Sequence, residues 1–496
     1  MKKLFLFALV LTSVAMYTSA QISYEKRLEF DLRNGYSGET IFESSEGFFI
    51  LESTADEEVK GQKEIKYDLY NSDLVLEKTE TVLIAKGLRY SESYYNDEFV
   101  YNMYTSKQGE FTIISVRRND LEISKTKGTM PAKTLLKSMK VLGNQAYFLA
   151  SVKASPMIYR IDLTSGKGTG IPVRIGSAAP KNIIPQNYQI LEKSKEIILF
   201  VRVKVSKLVS ELYMIRISEN DNVEKPVKIS GVGDNTIASI SGCRVSDDNI
   251  VITGTYAKKG LKSEGLFFGE VDNGSVKYIR YYNFLELKDF LSYLPEKMQD
   301  KIEKKKAKKE SQGKEMTLNY WIADHDIMVL DDGYLFLGEA YYPTYRTETY
   351  YTTGANGTMV AHTRTVFDGY QYTHATLGKF SNDGDLMWDV CFALYPGYKP
   401  YYVKRFIAIS QQTTTQISMV FTSGNKLVSK SVNYDGEIVK DKSYDIIDTG
   451  NDKDKTKRTF SNVNYWYENY FLAYGSQVIK TGKEKRKVYF VNKIGF

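Results

Sequence analysis

The residues best suited to chemistry are concentrated in one stretch of the chain, from Ala340 to His374. This stretch holds seven Tyr residues together with Arg, His and Asp side chains. Tyr offers rigid amphipathic contact area, and Arg offers planar hydrogen bonding to carboxylates or stacking on rings. Both residue types are enriched at the energetic centres of interfaces. We predict a binding surface for a peptide strand or a sugar face, made of Tyr345, Arg346, Tyr350, His362, Arg364, Asp368, Tyr370, Tyr372 and His374.

The same stretch predicts a long hairpin, inserted from 340 to 374 into one unit of a repeated β-structure. Thr and Tyr alternate around a central Gly354-Ala355-Asn356-Gly357, and long polar excursions of this kind often carry function. In the alternative interpretation, the Tyr side chains pack on a neighbouring unit and bind nothing. Outside the hairpin, His325 between Asp324 and Asp326 is expected to be a satisfied polar group at a strand end.

The sequence contains none of the catalytic or cofactor motifs that we sought. The patterns GxSxG, HExxH, GxxxxGK[ST] and GxGxxG are absent. The chain contains only three His and two Cys, so a zinc site in which four Cys and His ligands converge is close to impossible. Cys243 and Cys391 are too far apart in sequence for a CxxC motif, and we predict that they stay unpaired. We predict no catalytic residue, no cofactor and no metal, with a site from Glu348, His362 and His374 as the metal-binding alternative.

A second insertion, from 284 to 318, carries a basic segment. Its apolar residues recur at helical spacing, and Pro295 is tolerated in a first helical turn, so two helices joined near Leu294 are expected. The run Lys301–Lys309 suggests peripheral contact with an anionic membrane or an acidic partner, while the alternative is a solvated helix over one rim. A net charge of +7 over 496 residues does not indicate nucleic-acid binding. The apolar positions are Leu287, Leu291, Leu294, Met298 and Ile302.

The rest of the chain is a repeat of short strands. Each unit has an apolar strand, a polar break, a second strand, a turn with Asp, Asn or Gly, and a third strand. In one unit, Ile250–Thr253 leads to Leu266–Gly269 and then to a turn at Asp272-Asn273-Gly274. Asn-Gly and Asp-Gly favour hairpin turns because both central positions need a positive φ. The units begin at Phe48, Phe99, Tyr147, Ile197, Ile250, Tyr334, Ile417 and Tyr470.

Units of three or four strands at intervals of about 40–50 residues are typical of propeller blades. We predict an all-β fold, a single β-propeller domain over 21–496 with about eight four-stranded blades, or alternatively seven. The last unit, Tyr470–Phe496, lacks an outer strand, and a lone strand, Tyr24–Leu32, precedes the first unit. We expect this strand to close the ring, because closure removes exposed strand edges. Two β-sandwich domains are the other alternative.

The first 20 residues predict a secretory signal peptide. Lys2 and Lys3 precede an apolar stretch, Leu4–Met16, and Thr18-Ser19-Ala20 supply small residues before a cleavage site. The stretch is shorter than the roughly 20 residues of a membrane span. No Cys follows it, so we expect an exported protein of the periplasm or cell surface without a lipid anchor. A buried N-terminal helix is the alternative.

One segment resembles the outer hairpin of quinoprotein-type propeller repeats, Phe380-Ser381-Asn382-Asp383-Gly384-Asp385-Leu386-Met387-Trp388. The chain after residue 20 also looks like the uncharacterised exported propeller proteins of outer-membrane bacteria. These resemblances imply a propeller fold. The Trp that recurs in quinoprotein blades occurs here only at Trp388, so a quinone cofactor is not expected.

The sequence therefore favours a protein that works by binding. We predict a non-enzymatic scaffold of the cell envelope, with a protein or a glycan as its partner. The alternative is a propeller-type hydrolase or lyase acting on extracellular polysaccharide or peptide. Such an enzyme needs acids from separate blades to converge, which no local motif can reveal.

Overall fold

The computed structural model describes residues 23–496 apart from 33–34, 59–60, 192–193, 208, 230–234, 247–248, 354–355 and 411–415. The predicted export signal, 1–20, lies outside the described residues. Within the described part of the chain, almost all regular structure is antiparallel β-sheet, as the sequence predicts. The strands there form eight sheets, and each sheet uses strands that follow one another along the chain, with one exception at the N-terminus.

The sheets are numbered here in chain order. Sheet 1 contains β2 (Tyr36–Glu43), β3 (Phe49–Ala55), β4 (Lys63–Tyr70) and β5 (Leu76–Ile84). Sheet 2 contains β6 (Arg89–Tyr95), β7 (Phe99–Thr105), β8 (Glu110–Arg117) and β9 (Ile123–Thr129). Sheet 3 contains β10 (Leu135–Leu142), β11 (Gln145–Val152), β12 (Ser155–Asp162) and β13 (Gly168–Pro172). Sheet 4 contains β14 (Ile183–Leu191), β15 (Glu196–Lys204), β16 (Ser210–Ile217) and β17 (Val227–Ile229).

The second half of the chain continues this arrangement. Sheet 5 contains β18 (Thr236–Arg244), β19 (Asn249–Ala257), β20 (Gly265–Asp272) and β21 (Ser275–Asn283). Sheet 6 contains β22 (Trp321–Asp324) and β23 (Met328–Leu330), which both pair with β24 (Gly333–Thr353), then β25 (Met359–Ser381) and β26 (Leu386–Ala393). Sheet 7 contains β27 (Ala408–Ile409), β28 (Ile417–Ser423), β29 (Lys426–Val432) and β30 (Ile438–Ile446). Sheet 8 contains β31 (Asp454–Tyr467), β32 (Tyr470–Thr481), β33 (Glu484–Gly495) and the N-terminal β1 (Ser23–Asp31).

The middle strands of the sheets are apolar on both faces because each sheet is covered on both sides. Leu199 and Phe200, neighbours in β15, are both fully buried. Successive side chains of a strand point to opposite faces. Leu199 accordingly packs with Ile158 of sheet 3, whereas Phe200 packs with Ile252 of sheet 5. Consecutive apolar residues in the sequence thus fill two different cores.

The N-terminal strand adds to the last sheet, which is the pairing that the sequence predicts. β1 pairs antiparallel with β33, with Tyr24 opposite Ile494 and Phe30 opposite Tyr489. Phe30 also contacts Tyr70 of sheet 1, at 6.1 Å between ring centroids. The order of packing therefore continues from sheet 8 back to sheet 1. These open four-stranded sheets, each packed on the next, are consistent with a β-propeller.

The insertion from 284 to 318 is helical over its basic part only. Two short 3₁₀ helices, Pro180–Asn182 and Phe284–Glu286, and one α-helix, α1 (Glu296–Glu310), occur in the described residues. The prediction of two α-helices joined near Leu294 is wrong, because 287–295 forms bends and turns. Leu287, one of the residues at helical spacing, and the nearby Phe290 pack in the core between sheets 5 and 6, so tertiary packing overrides the helical pattern. None of the described helices has the length and apolar character needed to cross a membrane.

Candidate functional site

The segment predicted as a hairpin lies in a two-stranded extension of sheet 6. β24 pairs with β25 from Gly333↔Ser381 to Thr353↔Met359. The neighbouring strands reach only as far as Tyr341 on one side and His374 on the other. Beyond that point the two strands continue alone among the described residues. We call the segments 343–353 and 359–369 the ribbon, whose turn residues 354–355 lie outside the described part.

The ribbon has two faces of different chemistry, and its register defines them. The pairing shifts between Pro343 and Tyr345, where Thr344 on one strand faces Asp368 and Gly369 on the other, and this shift places Tyr345 opposite Phe367. Cross-strand partners share a face, and successive pairs alternate between faces. One face, the charged face, carries the pairs Arg346↔Val366, Glu348↔Arg364, Tyr350↔His362 and Thr352↔Val360. The other, the neutral face, carries the pairs Tyr345↔Phe367, Thr347↔Thr365, Thr349↔Thr363, Tyr351↔Ala361 and Thr353↔Met359.

The side chains of the charged face are bonded to one another. Glu348 lies 2.7 Å from Arg346 and 3.0 Å from Arg364. Hydrogen bonding to Arg364 holds the pKa of Glu348 below its usual range. Tyr350 stacks on His362 with 5.3 Å between ring centroids, and His362 Nε2 lies 2.8 Å from the Thr352 hydroxyl. Four residues of the predicted binding surface are thus brought together, and they already satisfy much of their own bonding capacity.

The neutral face contains no ionisable carboxylate, ammonium, guanidinium or imidazole group, and most of it is open to solvent. Tyr345 is 63% exposed, Tyr351 is 61% exposed and Met359 is 66% exposed. Four Thr hydroxyls lie between these larger side chains, and none of the four makes a hydrogen bond within the described residues. This surface therefore offers uncommitted hydroxyl groups flanked by aromatic rings.

The base of the hairpin is buried, so two predicted binding residues are inaccessible to a surface ligand. Tyr372 is buried, and its hydroxyl accepts a hydrogen bond from the Lys404 N–H at 2.8 Å. His374 is fully buried and stacks on Tyr293, with 3.9 Å between ring centroids. Burial lowers the pKa of His374 to about 3, so its ring is neutral at physiological pH. Tyr370 is half-buried against Phe367.

The predicted alternative of a metal site is not supported by the positions of its residues. Glu348 is paired with two Arg side chains, His362 bonds to a Thr hydroxyl on the ribbon, and His374 is buried at the base. No group of three or more His, Cys, Asp or Glu side chains suited to a metal ion occurs in the described residues. Cys243 and Cys391 are free thiols.

The ribbon packs on the loop that connects sheets 6 and 7. We call residues 394–407 the connecting loop. Its Pro400 carbonyl accepts a hydrogen bond from the Tyr370 N–H at 2.8 Å, and Lys399 pairs with Asp368 at 2.9 Å. The rings of Phe367 and Tyr401 lie 5.9 Å apart. Because Tyr401 and its neighbour Tyr402 are 66% and 67% exposed, the aromatic surface of the ribbon continues onto this loop.

A buried carboxylate fixes the other end of the connecting loop. Glu339, on β24, is fully buried, and its carboxylate accepts hydrogen bonds from the Phe406 and Ile407 N–H groups at 2.8–2.9 Å. His325 Nε2 lies 2.8 Å from the same carboxylate, as expected for a satisfied polar group at a strand end. Glu339 therefore positions Arg405, which lies 3.7 Å from Asp326.

Acidic and basic side chains from distant sheets meet near Arg405. Lys140 of sheet 3 is within electrostatic reach of Asp326 and Arg405, and burial lowers the pKa of its ammonium group. The carboxylate oxygens of Asp324 are buried and have no hydrogen-bond partner in the described structure. Burial raises the pKa of Asp324 to about 7, against the opposing influence of Ser239 and Arg405.

A second acid with a raised pKa lines a cavity between sheets 1 and 2. The cavity has a volume of about 740 Å³, and Glu52, Arg89, Tyr90 and Tyr104 contribute to its lining. Burial raises the pKa of Glu52 to about 7, although hydrogen bonding with Tyr67 and Asn102 opposes the shift. Such a carboxyl group can exchange a proton near neutral pH, which is the property of a general acid or base.

Sequence reasoning missed the connecting loop and both perturbed acids. The loop had a visible signal, because a larger fraction of its residues is Tyr than in the hairpin, in the run Tyr395-Pro396-Gly397-Tyr398-Lys399-Pro400-Tyr401-Tyr402. Asp324 and Glu52 have no local signal, since their burial depends on strands that are distant in the sequence.

No family model matches this chain, and no curated protein matches it. Its structure is similar to that of a prolyl endopeptidase, with a TM-score of 0.41 and 6% identity over 91% of this chain and 54% of that chain. The chain thus spans about half the length of that enzyme. It is also similar to the β-propeller domain of the Trilobed protease from Pyrococcus furiosus, with a TM-score of 0.34 and 10% identity over 81% of this chain and 98% of that chain. The polysaccharide lyase Uly1 gives a TM-score of 0.39 and 8% identity over 95% of this chain and 99% of that chain. The description of this chain as an all-β protein with propeller-like sheets rests on its own strand pairing.

Proposed function

We propose that the eight sheets are the blades of one closed β-propeller, a single domain over 21–496 with insertions at 284–318 and 340–374. Eight hydrophobic clusters support this, since each joins two sheets that follow one another, including sheet 8 with sheet 1. The electrostatic interaction of Lys140, on sheet 3, with Asp326, next to β22 of sheet 6, and with Arg405 adds support. Side chains of sheets that are three positions apart in this order can meet only around a common central axis. β1 completes the last blade and so closes the ring.

On this scaffold, the protein acts as an exported binding protein of the cell envelope, in the periplasm or at the cell surface. The observation that carries this proposal is the exposed aromatic surface shared by the ribbon and the connecting loop. A monomeric protein rarely leaves such a surface exposed without a partner, and Tyr is well suited to contact one. The ligand is an envelope protein or glycan, while the Lys-rich α1 can add peripheral contact with acidic surfaces.

The experiment is ligand retention by an immobilised protein with and without the ribbon. The variant replaces 344–369 by Asn-Gly, so that Pro343 and Tyr370, which are partners in the native register, flank a two-residue hairpin turn. We expect envelope material retained by the wild-type protein to be lost by the variant, while the variant still unfolds cooperatively. Equal retention by the two proteins, with the fold intact, would show that binding does not use the ribbon.

A hydrolase or lyase is the second candidate, favoured by the cavity that contains Glu52. The carboxyl group lies beside two Tyr rings and an Arg side chain, and its pKa of about 7 suits proton transfer. The test is cleavage of a panel of soluble polysaccharides and peptides by the wild-type protein and by Glu52→Gln. Turnover that is lost in Glu52→Gln would establish the enzyme, whereas turnover by neither protein would remove this candidate.

A further inference from the structure

We propose that the neutral face of the ribbon binds an uncharged glycan chain, an inference that rests on the proposed role of the ribbon in ligand binding. Of the nine binding residues predicted from the sequence, Tyr345 lies on this neutral face, whereas Arg346, Tyr350, His362 and Arg364 do not. The register places these four on the charged face, where both Arg side chains pair with Glu348 and Tyr350 stacks on His362. On the neutral face, by contrast, four Thr hydroxyls make no hydrogen bond within the described residues.

The charge distribution selects an uncharged ligand. The ten residues of the neutral face include no Asp, Glu, Lys, Arg or His, although 26% of the whole chain is charged. An acidic or basic ligand would lose hydration there without gaining an ion pair, which costs free energy. A ligand whose polar groups are hydroxyls loses less hydration than a charged one, and hydrogen bonds to the Thr hydroxyls can offset that loss.

The side chains of this face match the two kinds of surface that a sugar presents. Thr347, Thr349, Thr363 and Thr365 form a two-by-two array of hydroxyls without partners in the described structure. Each hydroxyl can donate one hydrogen bond and accept others. Tyr345 and Tyr351 stand on the same strand, about 20 Å apart at a rise of about 3.4 Å per residue. Their rings can cover the C–H faces of sugars while the Thr hydroxyls bond to the ring substituents.

The size of the face argues against a second copy of the chain or another folded protein. From Tyr345 to Thr353 a strand advances about 27 Å, and two strands are about 10 Å wide. The resulting area of roughly 270 Å² is well below the roughly 800 Å² that each partner of a stable protein complex buries. A single extended chain fits an area of this size.

An extended peptide fits less well than a glycan. The N–H and C=O groups of a β-ribbon point along its plane toward the edges, and its faces present side chains only. A peptide lying on the neutral face would therefore bring its own backbone polar groups against rings and methyl groups without a matching ladder. A sugar chain has no such obligatory backbone groups to satisfy.

The test uses affinity electrophoresis and calorimetry with named probes. Dextran, laminarin and galactomannan serve as neutral polysaccharides, and alginate and polygalacturonate serve as acidic ones. The neutral-face variant is Tyr345→Ala/Tyr351→Ala. The matched control on the same ribbon is Arg346→Ala/Tyr350→Ala, which changes the charged face. Thr349→Lys adds one charge to the neutral face without removing a ring.

We expect at least one neutral polysaccharide to bind the wild-type protein. The neutral-face variant and Thr349→Lys should weaken binding by about tenfold or more, which corresponds to about 1.4 kcal/mol. The charged-face variant should change it by less than about twofold. Thermal unfolding of all variants should match the wild type, since these side chains are exposed.

The inference and the proposed function fail in distinguishable ways. Binding of acidic probes alone, lost in the charged-face variant, would overturn the inference and leave the ribbon as the binding surface. Binding of no polysaccharide, while ribbon deletion still abolishes retention of envelope material, would also overturn the inference alone. Unchanged retention after ribbon deletion would overturn the proposed function.

Discussion

Lys399 and Asp368 form an ion pair at 2.9 Å that joins the connecting loop to the base of the ribbon. Both side chains are partly exposed, and such pairs contribute little to stability on their own, roughly 0–1 kcal/mol. The pair acts beside the Tyr370–Pro400 backbone hydrogen bond and the contact of Phe367 with Tyr401. These contacts set the position of the exposed loop rings relative to the ribbon.

Substitution of Phe367 should release the connecting loop. The Phe367 ring contacts Tyr345, Tyr370 and Tyr401, at 5.0–5.9 Å between centroids. Phe367→Ala should lower the free energy of unfolding by about 1 kcal/mol, because the ring is only half-buried. Chymotrypsin should cleave after Tyr401 and Tyr402 several-fold faster than in the wild type. Tyr351→Ala, which removes an exposed ring elsewhere on the ribbon, is the control and should leave this cleavage rate unchanged.

Deletion of the N-terminal strand should abolish cooperative unfolding. Removing residues 23–32 uncovers the edge of β33 and takes Leu28 and Phe30 from the core between sheets 8 and 1. Exposed edges and lost apolar contacts favour aggregation and open forms. Differential scanning calorimetry should show a broadened transition at lower temperature. Lys26→Ala, which changes an exposed side chain of the same strand, is the control and should unfold at the wild-type temperature. A deletion variant with the wild-type transition would instead indicate an open array of sheets.

Stability should depend on pH through Asp324. Its pKa is about 7 in the folded protein and about 3.9 in an unfolded chain, so the folded state binds more protons between these values. The stability contributed by the protonated group is complete below pH 4 and is lost as the pH rises to about 7. Asp324→Asn has no carboxyl group to ionise, so its folding stability does not decrease in this way as the pH rises. Its stability relative to the wild type should therefore rise by about 2–3 kcal/mol between pH 5 and pH 8.

Urea denaturation at several pH values measures this difference. Asp331→Asn is the matched control, since Asp331 is exposed in the turn between β23 and β24, whereas the charge of Asp326 contributes to the raised pKa of Asp324. This control should keep the wild-type pH dependence. Parallel pH profiles for Asp324→Asn and the wild type would show that the buried carboxyl group is not responsible.

Replacement of Glu339 should destabilise the start of sheet 7. In Glu339→Gln, an amide NH2 group replaces one carboxylate oxygen. This hydrogen-bond donor then faces the donors of Phe406, Ile407 or His325, whose hydrogen bonds it cannot accept. Loss of hydrogen bonds to a buried charged group should lower the free energy of unfolding by about 1–3 kcal/mol. Hydrogen exchange at the Phe406 and Ile407 amides should accelerate. Glu348→Gln on the ribbon is the partly exposed counterpart and should cost less than about 1 kcal/mol.

The middle strands of the sheets could be predicted from the sequence, whereas the first strands could not. β15 and β19 are covered on both faces, so they appear as continuous apolar runs. The first strands of six sheets contain irregular register, as between Lys137 and Lys140 in β10. A bulge interrupts the period-two alternation on which strand prediction depends. The irregular spacing of apolar residues in β10 therefore did not reveal a strand.

The sequence by itself determined that residues 340–374 form a hairpin rich in Tyr, because Thr and Tyr favour strands and Gly favours the turn. Only the tertiary structure decided which of its residues a ligand can reach. Tyr372 and His374 continue the same pattern as Tyr350 and His362, yet they are enclosed by the connecting loop and by the insertion that carries Tyr293. Burial is set by chain segments that are distant in sequence, so no local pattern reports it.

The division of the ribbon into faces depends on one irregularity in the strand pairing. The shift at Thr344, opposite Asp368 and Gly369, brings Tyr345 opposite Phe367 and places most of the Thr residues on one face and the charges on the other. Because side chains alternate with a period of two, a pairing shifted by a single residue would have set Thr against charged neighbours. The residue types were present in the sequence, but the register that sorts them follows from pairing within sheet 6.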